Sequence, residues 1–126
     1  MIKPERLTVK SAEALNDAVA LARKAGNPLV YDVHLLQALL TQDEGIVVPI
    51  LQRVGVTVTT LRVAAEQEAA RYAKPSDAQP SFGRELTQVV DAAEKEAKLL
   101  GDEYISTEHL LLALSDVKGI DSSRLL

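Results

Sequence analysis

Shifted by 75 positions, the chain lies over itself: residues 7–40 align with residues 82–115 without a gap. Ala18 meets Ala93, Ala22 meets Ala97 and Gly26 meets Gly101. His34-Leu35-Leu36 then meets His109-Leu110-Leu111, and Ala38-Leu39 meets Ala113-Leu114. These are eight identities in 34 positions, where so Ala- and Leu-rich a chain gives roughly two or three by chance. Asn16 with Asp91, Arg23 with Lys98, Asn27 with Asp102 and Val30 with Ile105 are conservative pairs. An internal repeat constrains the fold more than any local propensity. Both copies are expected to follow one backbone path, and neither buries its apolar face alone.

Each copy opens on a helix of about four turns. In the first, Leu15, Ala18, Val19, Ala22 and Ala25 fall on one stripe at spacings of three and four. Thr8 is its expected N-cap, and Gly26-Asn27-Pro28 its stop. The copy runs from about Arg84 to Leu100, with Gly83 in the place of Thr8 and Gly101 as the stop. A shorter helix follows in each, Asp32–Thr41 and Thr107–Ser115. Asp32 is the expected cap of the first, and Ser106 or Thr107 of the second, with Glu108 set favourably against the helix dipole. The shared His-Leu-Leu-x-Ala-Leu is too apolar for a surface helix, so this helix is predicted to be the buried centre of its repeat.

In repeat one, Ile46–Val54 reads as a third helix with Pro49 in its first turn, and Val58–Tyr72 as a fourth capped by Thr57. Residues 74–81, with Pro75 and Pro80 and no periodicity, read as a linker. The sequence thus predicts an all-α domain over 1–126, with repeat one at 7–73 and repeat two at 82–126. Repeat two stops early: Leu125 and Leu126 correspond approximately to Leu51 and Gln52, so its fourth helix is missing and the natural protein is expected to continue beyond Leu126. Composition agrees with helices. Hydrophobic residues make up 47% of the chain but aromatics only 3%, which suits close helix packing better than a sandwich or barrel.

Several chemistries are excluded at this level. With no cysteine, the chain has no disulfide, thiol nucleophile or cysteine-ligated zinc. The six glycines build no phosphate loop, since none is followed by lysine, and there is no His-Glu-x-x-His zinc helix or Gly-x-Ser-x-Gly elbow. No catalytic residue and no metal site is expected. A hydrolase built on Ser106, Glu108 and His109 is the rival reading, but adjacent helical positions point about 100° apart and do not converge on one atom. Residues 1–73 carry eight basic and eight acidic side chains, and residues 74–126 six and ten. That balance argues against a nucleic-acid partner. No run is long and apolar enough to span a bilayer, and the N-terminus lacks the apolar stretch of a signal peptide. A soluble, cytoplasmic chain without membrane contact is expected.

The repeat residues also carry a resemblance. Pro4-Glu5-Arg6-Leu7-Thr8, Lys10-Ser11, Glu13-Ala14-Leu15 and Val33-His34-Leu35-Leu36 resemble the opening of Clp-type AAA+ unfoldases. Gly101-Asp102-Glu103-Tyr104-Ile105-Ser106-Thr107-Glu108-His109-Leu110-Leu111 is similar to the N-terminal repeat domain of the ClpB-type disaggregases. The resemblance implies a double Clp N motif: two four-helix repeats related by a pseudo-two-fold axis, the second truncated. It implies a chaperone domain that captures unfolded or aggregated polypeptide for an ATPase ring. The alternative it leaves open is an adaptor-docking domain of the protease-associated ClpA or ClpC branch. No cofactor is implied for this chain, because ATP and magnesium belong to absent ATPase modules, which would also supply any hexamer.

The family relies on a Thr, an Asp and a Glu in this domain, and by motif these fall on Thr8, Asp102 and Glu108. The apolar positions of its substrate groove fall on Ala92, Glu96 and His109, none of them a large aliphatic residue. In the ClpC-like branch an acid precedes each histidine and is associated with phosphorylated arginine. Here Glu108 has Val33 as its counterpart, so a symmetric site of that kind is not expected.

Overall fold

The structure is a computed structural model and describes residues 4–72 and 79–126. A 3-10 turn, Pro4–Arg6, leads into α1 (Val9–Lys24), β1 (Leu29–Val30), α2 (Asp32–Thr41), α3 (Val47–Arg53) and α4 (Val58–Ala70). Then come β2 (Ser81–Phe82), α5 (Arg84–Leu99), α6 (Thr107–Asp116) and α7 (Asp121–Leu125). Among the described residues the fold is all-α apart from two strands of two residues each.

The repeat is legible in three dimensions. The buried face of α1 is Ser11, Ala14, Leu15, Ala18 and Ala22, and that of α5 is Leu86, Val89, Val90, Ala93 and Ala97, the same five positions of the alignment. Alanine at the shared positions lets each long helix press close on the short one after it, α1 on α2 and α5 on α6. Thr8 caps α1 as expected, its hydroxyl accepting the Ser11 N–H at 3.2 Å. Gly83 stands at the N-cap of α5 with no side chain to offer. Both helices end alike. The N–H of Asn27 returns to Ala22 O at 2.9 Å and that of Asp102 to Ala97 O at 2.8 Å, across Gly26 and Gly101, each at φ +74°. This left-handed stop suits glycine.

The short helices differ in their cover. In α2 eight of the ten residues are buried, because α4 packs over the side that α1 leaves open. Nothing equivalent to α4 lies over α6 among the described residues, and there Glu108 and Leu112 are exposed where α2 has buried Val33 and half-buried Gln37.

The two repeats are laced together. β1 and β2 pair in parallel, Leu29 with Ser81 and Val30 with Phe82. The symmetry mate of that pairing is a bridge between Leu7 and Ile105. In each case the segment entering one repeat bonds to the loop before the short helix of the other: Gly83 N–H to Val30 O at 2.9 Å, and Thr8 N–H to Ile105 O at 3.1 Å. Ser81, the last residue of the expected linker, is thereby drawn into a strand, while residues 73–78 lie outside the described residues.

Asp32 departs from expectation. Tyr31 holds the N-cap position of α2, and the buried Asp32 carboxylate reaches across to accept the N–H of Ser122 at 2.9 Å in the first turn of α7. It caps a helix of the other repeat in place of its own. Thr57 does stand at the N-cap of α4 but makes no side-chain cap bond, and α4 ends at Ala70, two residues short of Tyr72. A second tie joins α4 to α7: Glu68, buried on α4, pairs with Arg71 at 2.6 Å and with Arg124 at 3.0 Å.

One loop position is strained. Glu44 sits at φ +57°, and its repeat mate, Gly119, at φ +82°. The left-handed region costs a side-chain-bearing residue about 1–2 kcal/mol, part of which a glycine returns as unfolded-state entropy. Glu44→Gly is therefore expected to stabilise the domain by about 0.5–1 kcal/mol in urea unfolding. A lower midpoint would show that the glutamate side chain holds this loop.

Candidate functional site

The glycine stops decide what the histidines meet. In each repeat the residue after the stop is placed seven positions before the histidine of the short helix, within reach of its ring. Asp102 Oδ2 lies 2.8 Å from His109 Nε2, and the Asn27 side-chain amide lies 3.1 Å from His34 Nε2. The other ring nitrogen faces back to its own N-cap: Nδ1 accepts the Tyr31 N–H at 2.9 Å in His34 and the Ser106 N–H at 2.9 Å in His109. With Nδ1 accepting, the neutral ring carries its proton on Nε2 and donates it. In repeat two the acceptor is the Asp102 carboxylate. In repeat one Asn27 Nδ2 is placed against His34 Nε2 and the amide oxygen has no partner; turning the amide over lets the oxygen accept the Nε2 proton. Burial holds the His34 pKa down, from an ordinary 6.5 to about 4.

Ser106, His109 and Asp102 thus line up as hydroxyl, imidazole and carboxylate, with Ser106 Oγ 3.0 Å from Nδ1. The acid on this histidine is Asp102 rather than Glu108. The arrangement reads as capping. Nδ1 already receives the Ser106 N–H, so its lone pair is not free to take a hydroxyl proton. His34 repeats the same geometry with tyrosine at the N-cap and an amide for the acid.

Around this scaffold opens a cleft of about 440 Å³. Thr8 contributes one rim, at the start of α1. The loop after α5 contributes Leu100, Asp102, Glu103 and Tyr104, and the first turns of α6 contribute Ser106, Glu108, His109 and Leu112. The bridge between Leu7 and Ile105 brings the two sides together. Four of the residues singled out from the sequence, Thr8, Asp102, Glu108 and His109, converge here. The Thr8 hydroxyl is occupied, donating to Ser11 Oγ at 2.9 Å. His109 is buried and forms the floor.

Ala92 and Glu96 do not join them. They line a neighbouring cleft between α5 and α6, with Lys95, Leu99, Leu112, Ala113, Asp116 and Val117. Leu112 is the wall between the two. It also borders a third, more apolar groove between α3 and α6, formed by Ile50, Leu51, Val54, Val56, Leu111 and Leu126 among others.

Sequence reasoning missed the apolar walls. Leu100 is 61% exposed, Tyr104 50% and Leu112 45%. A signal was available at position 112, where the otherwise apolar helix carries leucine and its repeat mate is Gln37. A leucine that the fold replaces with glutamine in the other copy is not needed for packing.

No group of three His, Asp or Glu side chains that could hold a metal ion occurs among the described residues. No single described helix is long and apolar enough to cross a membrane. What the cleft offers is carboxylates, a hydroxyl and apolar walls.

Comparison with known proteins agrees with the resemblance. The family model of the Clp repeat (R) N-terminal domain matches residues 6–126. The chaperone protein ClpB of Mycobacterium tuberculosis is 40% identical over 110 residues, 86% of this chain and 13% of that protein. ClpB of Corynebacterium diphtheriae is 41% identical over 111 residues, with the same shares. The chain therefore spans 13% of the length of these relatives. Among solved structures, the N-terminal domain of the ClpV1 ATPase from enteroaggregative E. coli superposes with a TM-score of 0.83 at 24% identity, over 97% of this chain and 72% of that one. The Hsp104 N-terminal domain from Candida albicans gives 0.82 at 20% identity, over 94% and 78%. These two show the fold, and the family match with the ClpB relatives shows the kinship: the chain belongs to the Clp repeat N-terminal domain family.

Proposed function

We propose that this chain captures unfolded or aggregated polypeptide in the cleft between the start of α1 and the first turns of α6. It hands that polypeptide to the ATP-hydrolysing modules of a longer ClpB-type disaggregase, in the cytoplasm. The observation that carries the reading is the convergence of Thr8, Asp102 and Glu108 on a cleft walled by exposed Leu100, Tyr104 and Leu112. Apolar walls give an unfolded chain something to bury, and the polar rim orients it.

The test is a titration of the domain, followed residue by residue by NMR, with a reduced and alkylated protein that cannot refold. Shifts are expected at Leu100–Leu112 and Thr8. Glu108→Ala is expected to weaken capture about three-fold with helix content unchanged, since rim charges contribute modestly. Thr8→Ala is expected to cost about 1 kcal/mol of stability through loss of the α1 cap, and Thr8→Ser to restore it. Shifts confined to other faces would move the site. Binding of a folded adaptor but of no unfolded chain would replace the capture reading with adaptor docking.

A further inference from the structure

We infer that a second cleft, where α2 runs into α3, binds a small zwitterionic peptide: a dipeptide with apolar side chains and both termini free. The inference does not rest on the capture reading, because this cleft shares no residue with those along α6. It measures about 500 Å³, a size suited to a small molecule. Residues 40–45 form one side, Val48 and Pro49 of α3 the floor, and Arg62 of α4 the far wall. Three oddities meet here. Glu44 is the one residue other than glycine at positive φ among the described residues, at +57°. Its repeat mate is Gly119, so the backbone path does not call for a glutamate, and strain kept where the fold offers glycine points to a use for the side chain. Gln42, whose mate is Val117, donates its amide N–H to Lys10 O at 2.8 Å and leaves Oε1 buried without a donor. Arg62 Nε is likewise buried without an acceptor. The loop fits closely round the first of these atoms: a Cβ on Gly45 would stand 3.3 Å from Gln42 Oε1.

The charges of the cleft are kept apart. Arg62, Asp43 and Glu44 all line it, yet no ion pair joins them among the described residues. A guest therefore meets a cation on the α4 wall and carboxylates on the loop. A purely anionic or purely cationic guest satisfies one wall and is repelled by the other. A zwitterion satisfies both: its carboxylate accepts from the Arg62 guanidinium, and its ammonium donates to Asp43, Glu44 and Gln42 Oε1. This takes a small turn of the Gln42 and Arg62 side chains toward the cleft that both line, and it gives partners to two buried atoms that the fold leaves without them. A single amino acid carries both charges on one carbon, whereas a dipeptide spreads them across a cleft of this size. Half-buried Val48 and Pro49 are the surface its side chains cover.

The probe is dileucine with free ends, titrated into the domain beside N-acetyl-dileucine, which lacks the ammonium, and dileucine amide, which lacks the carboxylate. NMR follows the Arg62 Nε–H, the Gln42 side-chain amide and the backbone amides of residues 42–48. Dileucine is expected to shift all of them at millimolar concentration, and each blocked form to bind about ten-fold more weakly. Arg62→Gln is expected to make dileucine and its amide bind alike. Asp43→Asn with Glu44→Gln is expected to make dileucine and its N-acetyl form bind alike. Glu44→Gly is expected to weaken dileucine binding about three-fold even as it steadies the fold. Equal binding of the three peptides to the unaltered domain overturns the inference by showing a cleft indifferent to charge, and this holds whether or not a variant folds. Shifts confined to other faces, or none with dileucine in large excess, overturn it by leaving this cleft without a guest. A preference for the free carboxylate that survives in Arg62→Gln overturns the assigned contact, and full affinity in Glu44→Gly overturns the use assigned to the strain.

Discussion

Leu112→Gln is expected to weaken capture of an unfolded polypeptide about ten-fold while leaving the domain folded. The substitution copies what the molecule already does: the same position of the first repeat is Gln37, on a helix of the same length. Leu112 is 45% exposed in the free domain and borders all three openings along α6. Covering the exposed half of a leucine is worth about 1 kcal/mol, and a buried amide left without a partner adds a comparable penalty on the complex. Combined with Tyr104→Ser, the loss is expected to reach about a hundred-fold, because the two side chains wall one cleft. Affinity by titration and stability by urea unfolding, measured on the same preparations, separate the two effects. A stability change within about 0.5 kcal/mol and an unchanged affinity would show that the ligand does not touch this wall.

Acid is expected to destabilise the domain through His34, and to do so between the two pKa values of that residue. Burial lowers the His34 pKa from 6.5 to about 4. In the unfolded chain the imidazole takes up a proton as pH falls through about 6.5, whereas in the fold it resists until about 4. Stability is therefore intact above the upper value, declines as pH falls across the window, and loses nothing further from this group below the lower one. The decline amounts to roughly 3 kcal/mol. Its structural route is specific: protonation places a hydrogen on Nδ1, the atom that accepts the Tyr31 N–H, so the first turn of α2 loses its cap. Urea unfolding of the wild type and of His34→Gln at pH 7, 5.5 and 4 measures it. The variant starts less stable, and the gap is expected to close toward acid pH. Parallel acid limbs would assign the decline to carboxylates instead.

The sequence carried the helices because their cause is local. Stripes at spacings of three and four, Thr8, Gly26 and Gly101 are read within one turn of chain. The repeat then doubled every local reading, and the buried positions of α1 and α5 coincide one for one. The lacing of the repeats was not legible. Leu7, Val30, Phe82 and Ile105 stand out only as apolar residues at equivalent places, and a parallel pair two residues long arises from the approach of the repeats, not from strand propensity. Asp32 shows the same limit: an aspartate before an apolar helix reads as its cap, and only the arrival of α7 gives the carboxylate a different N–H to serve.

For the site, the residues matched by motif divide by geometry. Thr8, Asp102, Glu108 and His109 meet because a turn, a bridge and a helix start meet. Ala92 and Glu96 sit about two turns and about one turn before the C-terminus of α5, and line the next cleft. Leu100, Tyr104 and Leu112 escaped notice because a count of apolar residues assigns leucine to the core, and exposure belongs to the packed molecule.

The bridge from Leu7 to Ile105 closes a loop that spans nearly the whole chain. Such a contact is expected to form late in folding, since its closure entropy must be met before its bonds form. The walls of the cleft come from opposite ends of the polypeptide and are joined only by that closure. A nascent or partly unfolded copy is therefore expected to have its helices before it has its cleft. Under the proposed function, the domain is expected to hold unfolded chains only once it has ceased to be one.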